Sequence, residues 1–137
     1  MNVVGTIFIK DNKLLIDKPR KRPTYQMIGG RVEENETPFD AAIRECYEEL
    51  GTKAIFDKNK IKQIMDFEEI ATSDPNLKIH FYVFMYEGTL EGELTTSEEI
   101  EKFLWYDTTF GTDILSNTLK ASISFLEGSA CFFISRG

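Results

Sequence analysis

The sequence predicts a single α/β sandwich domain, in which two helices pack on a β-sheet. The length of 137 residues and the 42% hydrophobic content suit one ordinary domain. Several short segments are rich in β-branched and aromatic residues, and two longer segments carry apolar residues at helical spacing. Because no repeat or linker divides the chain, we expect residues 1–137 to form one domain.

The part of the chain that precedes residue 37 is expected to contain strands and no helix. Residues 2–9 are rich in β-branched side chains, Asp11 and Asn12 are turn residues, and residues 13–17 resume an apolar run. This pattern predicts a β-hairpin. After a basic loop, residues 25–28 form a short strand-like segment that runs into a pair of glycines.

The first helix is predicted to begin after Thr37 and to end near Leu50. Thr37 is a favourable N-cap residue, Pro38 suits the first helical position, and Asp40 completes a capping-box pattern. Gly51 lies where a C′ glycine would end the helix.

The remaining chain is expected to form further strands and a second helix. The strand predictions are residues 53–56, 61–67, 77–86 and 103–106, of which the third has the composition of a buried strand. Residues 113–126 predict the second helix, because five apolar residues recur there at helical spacing: Ile114, Leu115, Leu119, Ile123 and Leu126.

The net charge of −7 disfavours binding to nucleic-acid polymers. An acidic protein that binds a small polyphosphate needs local positive charge, from a metal ion or from a few Lys and Arg side chains. The sequence contains no apolar run long enough to span a membrane and no leader-like start, so we expect a cytoplasmic protein that does not enter a membrane. In that compartment Cys46 and Cys131 are expected to be small unpaired side chains. The sequence predicts no oligomeric state.

Three glutamates of the first helix, Glu45, Glu48 and Glu49, are the candidate metal ligands. On a helical wheel they share one arc, opposite a stripe expected to face the core: Phe39, Ala42, Ile43, Cys46 and Leu50. A solvated acidic face is the default interpretation of such a cluster. However, like charges near the C-terminal end of a helix cost stability, which favours a bound cation. Carboxylates suit Mg²⁺, whereas a single His disfavours a zinc site.

The same helix completes a longer motif. Gly30, Glu36, the pair Arg44-Glu45 and the pair Glu48-Glu49 are separated by gaps of five, seven and two residues, and Gly51 follows. Together with Thr52, this segment resembles the Nudix box of the MutT-like Nudix hydrolases. Every fixed residue and both long gaps of that box are present within residues 30–52.

The resemblance implies a Nudix-type α/β/α sandwich with a mixed β-sheet. It also implies hydrolysis of the diphosphate bond in a nucleoside di- or triphosphate, or in a nucleoside diphosphate derivative, with Mg²⁺ as the cofactor or Mn²⁺ in its place. Residue by residue, the implied metal ligands are Glu45, Glu48, Glu49 and the carbonyl group of Gly29.

The resemblance implies supporting roles as well. Glu45 is expected to double as a general base, Arg44 to hold a glutamate in place, and Glu36 to brace the loop against the helix. Nudix hydrolases often take a further base or ligand from outside the box, for which the sequence offers Glu98, Glu99 and Glu101 without choosing among them.

Two other functions stay open at this point. One is a Nudix-like module that senses a nucleotide without cleaving it, and the other is a protein-interaction domain with an ordinary acidic face. The intact set of box glutamates favours the hydrolase.

The residues that could contact a substrate have two interpretations each. The basic loop, with Lys18, Arg20, Lys21 and Arg22, suits either phosphate binding or plain solvation. Five aromatic residues suit either a base-stacking platform or the core: Phe8, Tyr25, Phe81, Tyr82 and Phe84. His80 is expected to be structural or to lie at the rim of a pocket.

Overall fold

The computed structural model, described for residues 1–127, is a mixed β-sheet with one helix on each face. The strands are β1 (Asn2–Ile7), β2 (Ile9–Lys10), β3 (Lys13–Pro19), β4 (Gln26–Arg31), β5 (Ala54–Ile55), β6 (Ile61–Ile70), β7 (Lys78–Tyr86), β8 (Glu91–Gly92) and β9 (Ile100–Tyr106). The helices are α1 (Pro38–Leu50) and α2 (Asn117–Glu127). Neither of them has the length and apolar content that a membrane span needs, and no other helix of the described chain does. Cys131 lies outside the described residues.

The main sheet has seven strands in the order β2-β3-β4-β1-β7-β6, with β9 paired to β3. The β1–β7 pair is parallel and the other pairs are antiparallel, so the sheet is mixed, as expected. The small strands β5 and β8 form a separate antiparallel pair. The β8 strand was not predicted, because two residues carry no alternation pattern.

The predicted hairpin over residues 2–17 is only partly correct. Strands β2 and β3 do form a hairpin, and the turn residues Asp11 and Asn12 have positive φ values of 52° and 60°. However, β1 leaves the hairpin and lies between β4 and β7 in the middle of the sheet. Its residues Val4 to Ile7 are all buried, and a strand with no exposed face needs covering on both sides.

Two hydrophobic layers lie on the two faces of the sheet. The layer under α1 contains Val4, Leu15, Ile28, Cys46, Leu50 and Phe84, and the layer under α2 contains Ile7, Leu14, Ile16, Phe81 and Leu119. Successive residues of β3 enter opposite layers, as the two-residue repeat of a strand requires. The structure is therefore the expected α/β/α sandwich.

The ends of α1 are as predicted, but its buried face is not. The Thr37 hydroxyl caps the helix by accepting a hydrogen bond from Asp40 N at 3.1 Å, and Gly51 follows with a φ of 90°. Phe39, expected in the core, is 42% exposed, whereas Glu49, expected on the outer face, is buried. The buried arc includes Glu49 because α1 lies against β4 at its two glycines, which have no side chains to keep the helix away.

The other elements agree with the sequence, with shifted boundaries. Strands β6 and β9 are longer than predicted, and α2 begins at Asn117 rather than at 113. Ser116 caps α2, since its hydroxyl accepts a hydrogen bond from Leu119 N at 3.3 Å.

Candidate active site

Arg44 joins the loop before α1 to the acidic face of the helix. Its guanidinium donates to both carboxylate oxygens of Glu36 at 2.8 and 2.9 Å, and to the backbone oxygen of Arg31 at 2.9 Å. It also donates to Glu45 at 2.9 Å and to Glu48 at 3.3 Å. The bond to Arg44 is the main reason why the pKa of Glu36 is lowered to about 2. The loop and three glutamates are therefore held by one cation.

Glu45 lies at the point where α1 approaches β4. Its side chain is only 14% exposed, and a Cβ atom added to Gly30 would overlap its carboxylate. Burial raises the pKa of Glu45 against the opposing effect of Arg44, and the charges of Glu48 and Glu99 raise it further. Gly30 thus leaves the space that this carboxylate occupies.

Glu49 is buried beside Gly29, the first glycine of the pair. Its carboxylate accepts a hydrogen bond from Gly29 N at 2.5 Å and lies next to Asp17. Burial raises the pKa of Glu49 well above its usual range, and the charges of Asp17 and Glu45 add to the effect. A buried glutamate with this environment resists carrying a charge unless a cation or a proton compensates it.

Asp17 is a buried carboxyl group that the sequence analysis did not select. It is fully buried on β3, and burial raises its pKa to about 8. Glu49 and Gln26 lie beside it, yet neither carboxylate oxygen accepts a well-formed hydrogen bond within the described residues. The sequence did contain a signal for this residue, because Asp17 is a charged residue directly after the apolar run of residues 14–16.

The donor set fits a divalent cation in its chemistry. Asp17 has buried oxygens without partners, the carboxylates of Glu45 and Glu49 have raised pKa values, and two glycines open the approach. The expected convergence over one surface patch is not seen, because Glu48 is 59% exposed and bonds Arg44 while Glu49 turns inward. Among the described residues, no three acidic, His or Cys side chains are already arranged around one ion.

Of the candidates outside the box, Glu98 and Glu99 directly precede β9, and Glu101 is its second residue. Glu99 is the one whose charge raises the pKa of Glu45. Glu101 forms an ion pair with Lys18 at 3.5 Å, and the backbone oxygen of Glu98 accepts from Arg20 at 3.2 Å. The geometry therefore favours Glu99 over the other two.

A cleft of about 550 Å³ lies on the α2 side of the sheet, between the β3–β4 loop, β1 and the start of α2. Gln26 and Arg31, the two end residues of β4, both line it. The glycine pair lies between them on the same strand, so the cleft and the glutamates of α1 contact neighbouring residues of β4.

None of the five aromatic candidates lines this cleft. Phe8, Phe81 and Phe84 are core residues. Tyr82 stacks on His80 with ring centroids 4.5 Å apart, and Tyr25 is half-buried under the amino group of a lysine. His80 also bonds Asp66 at 2.6 Å, which agrees with a structural role.

Comparison with known protein families shows which family this chain belongs to. The model of the NUDIX domain matches residues 1–109, which include the whole box and all nine strands described above. The chain belongs to the Nudix family. The resemblance predicted from residues 30–52 is thereby confirmed.

Individual relatives support the same assignment. The ADP-ribose pyrophosphatase of Methanocaldococcus jannaschii is 29% identical over 107 residues, which are 76% of this chain and 60% of that protein. The chain thus spans about 60% of the length of this curated relative.

Solved structures of the family share the fold. The MutT NUDIX hydrolase from Burkholderia pseudomallei superposes with a TM-score of 0.73 at 18% identity, covering 90% of this chain and 95% of that one. A NUDIX hydrolase from Nitrosomonas europaea gives 0.71 at 14% identity, with coverages of 93% and 88%. A bifunctional NMN adenylyltransferase/ADP ribose pyrophosphatase from Francisella tularensis gives 0.72 at 15%, covering 93% of this chain and 40% of its own.

Proposed function

We propose that this Nudix chain is a metal-dependent hydrolase of the diphosphate bond in a nucleoside di- or triphosphate, or in a nucleoside diphosphate derivative. The observation that carries the proposal is the burial of Glu45 and Glu49 against Gly30 and Gly29, with the pKa of both carboxyl groups raised. A surface that only binds another protein has no need for buried carboxyl groups. A sensing module without catalysis is not favoured by any feature of the site, because each box glutamate is present.

The proposed ligands of a Mg²⁺ or Mn²⁺ ion are Glu45, Glu48, Glu49 and the carbonyl group of Gly29. Such an ion supplies positive charge beside the phosphoryl oxygens and makes a neighbouring water more acidic. Arg44 sets the direction of Glu45 and Glu48, and Glu36 fixes Arg44 in turn through two parallel hydrogen bonds.

The proton of the attacking water is proposed to pass to Glu45, with Glu99 as the carboxylate that assists from outside the box. A general base works best when its pKa lies near the working pH, and burial moves the pKa of Glu45 in that direction. Glu99 is proposed because its charge acts on Glu45. The cytoplasmic location and a small-molecule partner remain predictions from the sequence.

The test is hydrolysis of a substrate panel by variants of the box. The panel contains nucleoside triphosphates, ADP-ribose and nucleotide sugars, assayed with and without Mg²⁺. Glu45→Gln and Glu49→Gln are expected to abolish turnover while the melting temperature shows a folded protein. Glu34→Gln, an exposed change in the same loop, is the matched control and should leave turnover as it is. Turnover that survives in both site variants, or that needs no divalent ion, would contradict the proposal.

The role of Glu99 has a neighbouring control in Glu98. Glu99→Gln is expected to lower kcat by roughly a hundredfold and to move the acid limb of the pH profile, whereas Glu98→Gln should do neither. Equal effects of the two changes would remove Glu99 from the mechanism.

A further inference from the structure

We propose that the cleft beside β4 accepts the part of the substrate beyond the cleaved bond, and that this part carries a phosphate ester of its own. The inference rests on the proposed hydrolase activity and narrows its substrate class. Diphosphates with an additional phosphate, such as a phosphorylated sugar or nucleotide end, are then preferred over those that end in an uncharged group.

The charge of the cleft is the first observation. The chain has 23 acidic residues and 16 basic ones, yet the cleft is lined by Lys21, Arg22 and Arg31 and by no Asp or Glu. In a protein with a net charge of −7, this is a local reversal of sign. Such a surface attracts an anion more strongly than a neutral group, and it repels a cation.

The state of these three cations is the second observation. Within residues 1–127, the side chains of Lys21, Arg22 and Arg31 make no hydrogen bond and no ion pair, although acidic side chains are abundant. Their neighbours in the basic loop are different, because Lys18 pairs with Glu101 and Arg20 bonds two backbone oxygens. The loop thus contains cations bound to β9 or to the residues just before it, and cations that remain available at the cleft.

The polar groups of the cleft match a phosphorylated ligand better than a flat base. No aromatic ring lines it, so a nucleobase would find no stacking partner there. Instead, the wall contains hydroxyl and amide side chains, Thr24, Gln26, Thr72, Ser116 and Thr118 among them. Guanidinium groups donate parallel pairs of hydrogen bonds to phosphate oxygens, and hydroxyl groups suit a sugar.

The position and size of the cleft agree with this occupant. Arg31 directly follows Gly30, whose missing side chain leaves the space of the Glu45 carboxylate, so the cleft begins at the residue next to the one that contacts Glu45. The volume of about 550 Å³ falls within the range of small-molecule sites and is large enough for the phosphorylated sugar of such a substrate.

The experiment compares substrates that differ by one phosphate ester. NADPH and NADH form one such pair, and coenzyme A and its dephospho form are another. Each member contains a diphosphate bond. With Mg²⁺ present, the phosphorylated member of each pair is expected to show a KM at least roughly tenfold lower. In the double variant Lys21→Gln/Arg22→Gln, this ratio should fall below about threefold.

A charge-matched control separates the cleft from the overall charge. The variant Lys58→Gln/Lys62→Gln removes two exposed lysines near the start of β6, whereas the cleft is lined by residues that follow the other end of that strand. It should retain the wild-type KM ratio. Equal KM values within both pairs, or an unchanged ratio in the Lys21/Arg22 variant, would overturn the inference.

A binding measurement tests the phosphate-binding cleft independently of the hydrolase proposal, because it requires no cleavage. Calorimetry on the metal-free protein compares adenosine 2′,5′-bisphosphate with adenosine 5′-monophosphate, neither of which contains a diphosphate bond. Tighter binding of the bisphosphate, lost in the Lys21/Arg22 variant, supports the phosphate-binding cleft even if no compound in the panel is cleaved. Equal affinities reject it even if hydrolysis is observed.

Discussion

Replacement of Asp17 by Asn is expected to stabilise the metal-free protein at high pH and to have little effect at low pH. Asp17 is fully buried, and its pKa is raised from 3.8 to about 8. The folded protein therefore binds a proton that the unfolded chain has lost. The contribution of this proton to stability is complete below pH 3.8 and is lost as the pH rises through about 8.

The magnitude follows from the pH interval. One proton changes the free energy of unfolding by about 1.4 kcal/mol per pH unit, so between pH 5 and pH 8 the wild type loses about 4 kcal/mol through this group. Asn has nearly the same shape and carries no charge, so the variant escapes this loss. Its amide can also donate to Glu49, which lies beside Asp17.

The assay is urea unfolding of the wild type and the Asp17→Asn variant in chelator, at pH 5 and at pH 8. The stability difference between the two proteins should grow in favour of the variant by several kcal/mol between these values. Asp11→Asn, an exposed change in a turn of positive φ that Asn also tolerates, should show no such pH dependence. A difference between Asp17→Asn and wild type that is the same at both pH values would refute the reasoning.

Two further predictions concern the Arg44–Glu36 pair and the glycine pair. Arg44→Lys should lower turnover by roughly tenfold or more, because a lysine cannot replace the paired bonds to Glu36 while it also reaches Glu45; kinetics with circular dichroism as the folding control would check it. Gly30→Ala should weaken Mg²⁺ binding, measured by calorimetry, and keep a nearly normal melting temperature, because the added Cβ meets only the flexible end of Glu45. Gly29→Ala should instead lower the melting temperature, because its Cβ meets the backbone oxygen of Val4. A Gly30→Ala variant with wild-type metal affinity would contradict the assigned space.

Local patterns predicted the elements well because their causes are local. The Thr37 cap and the positive φ of Gly51 lie within a few residues of the helix ends that they define. The order of strands was not predictable in this way. The central position of β1 depends on its pairing with β7, where Val4 lies opposite Tyr82, and nothing near Val4 in the sequence specifies that partner.

The site shows the same division between local and distant causes. The box residues were found from their spacing, and the structure brings Arg44 together with Glu36, Glu45 and Glu48. The burial of Glu49 was missed, since a helical wheel places glutamates outside unless the opposing surface is known. That surface is a strand without side chains at two positions, contributed by a different part of the chain.

One strand connects the two parts of the proposed site, and this sets the length of a suitable substrate. Gly30 lies at the glutamates, while Arg31 and Gln26 line the cleft at one and four residues from it. At about 3.3 Å per residue, Arg31 lies about 3 Å from the glycine in one direction along β4, and Gln26 lies about 13 Å from it in the other. The proposed substrate reacts at Gly30 and has its next sugar, with the phosphate ester on it, beside the cations of the cleft. A variant that moves Glu45 should lower kcat for both members of a substrate pair, whereas a variant of Lys21 and Arg22 should change the ratio of their KM values.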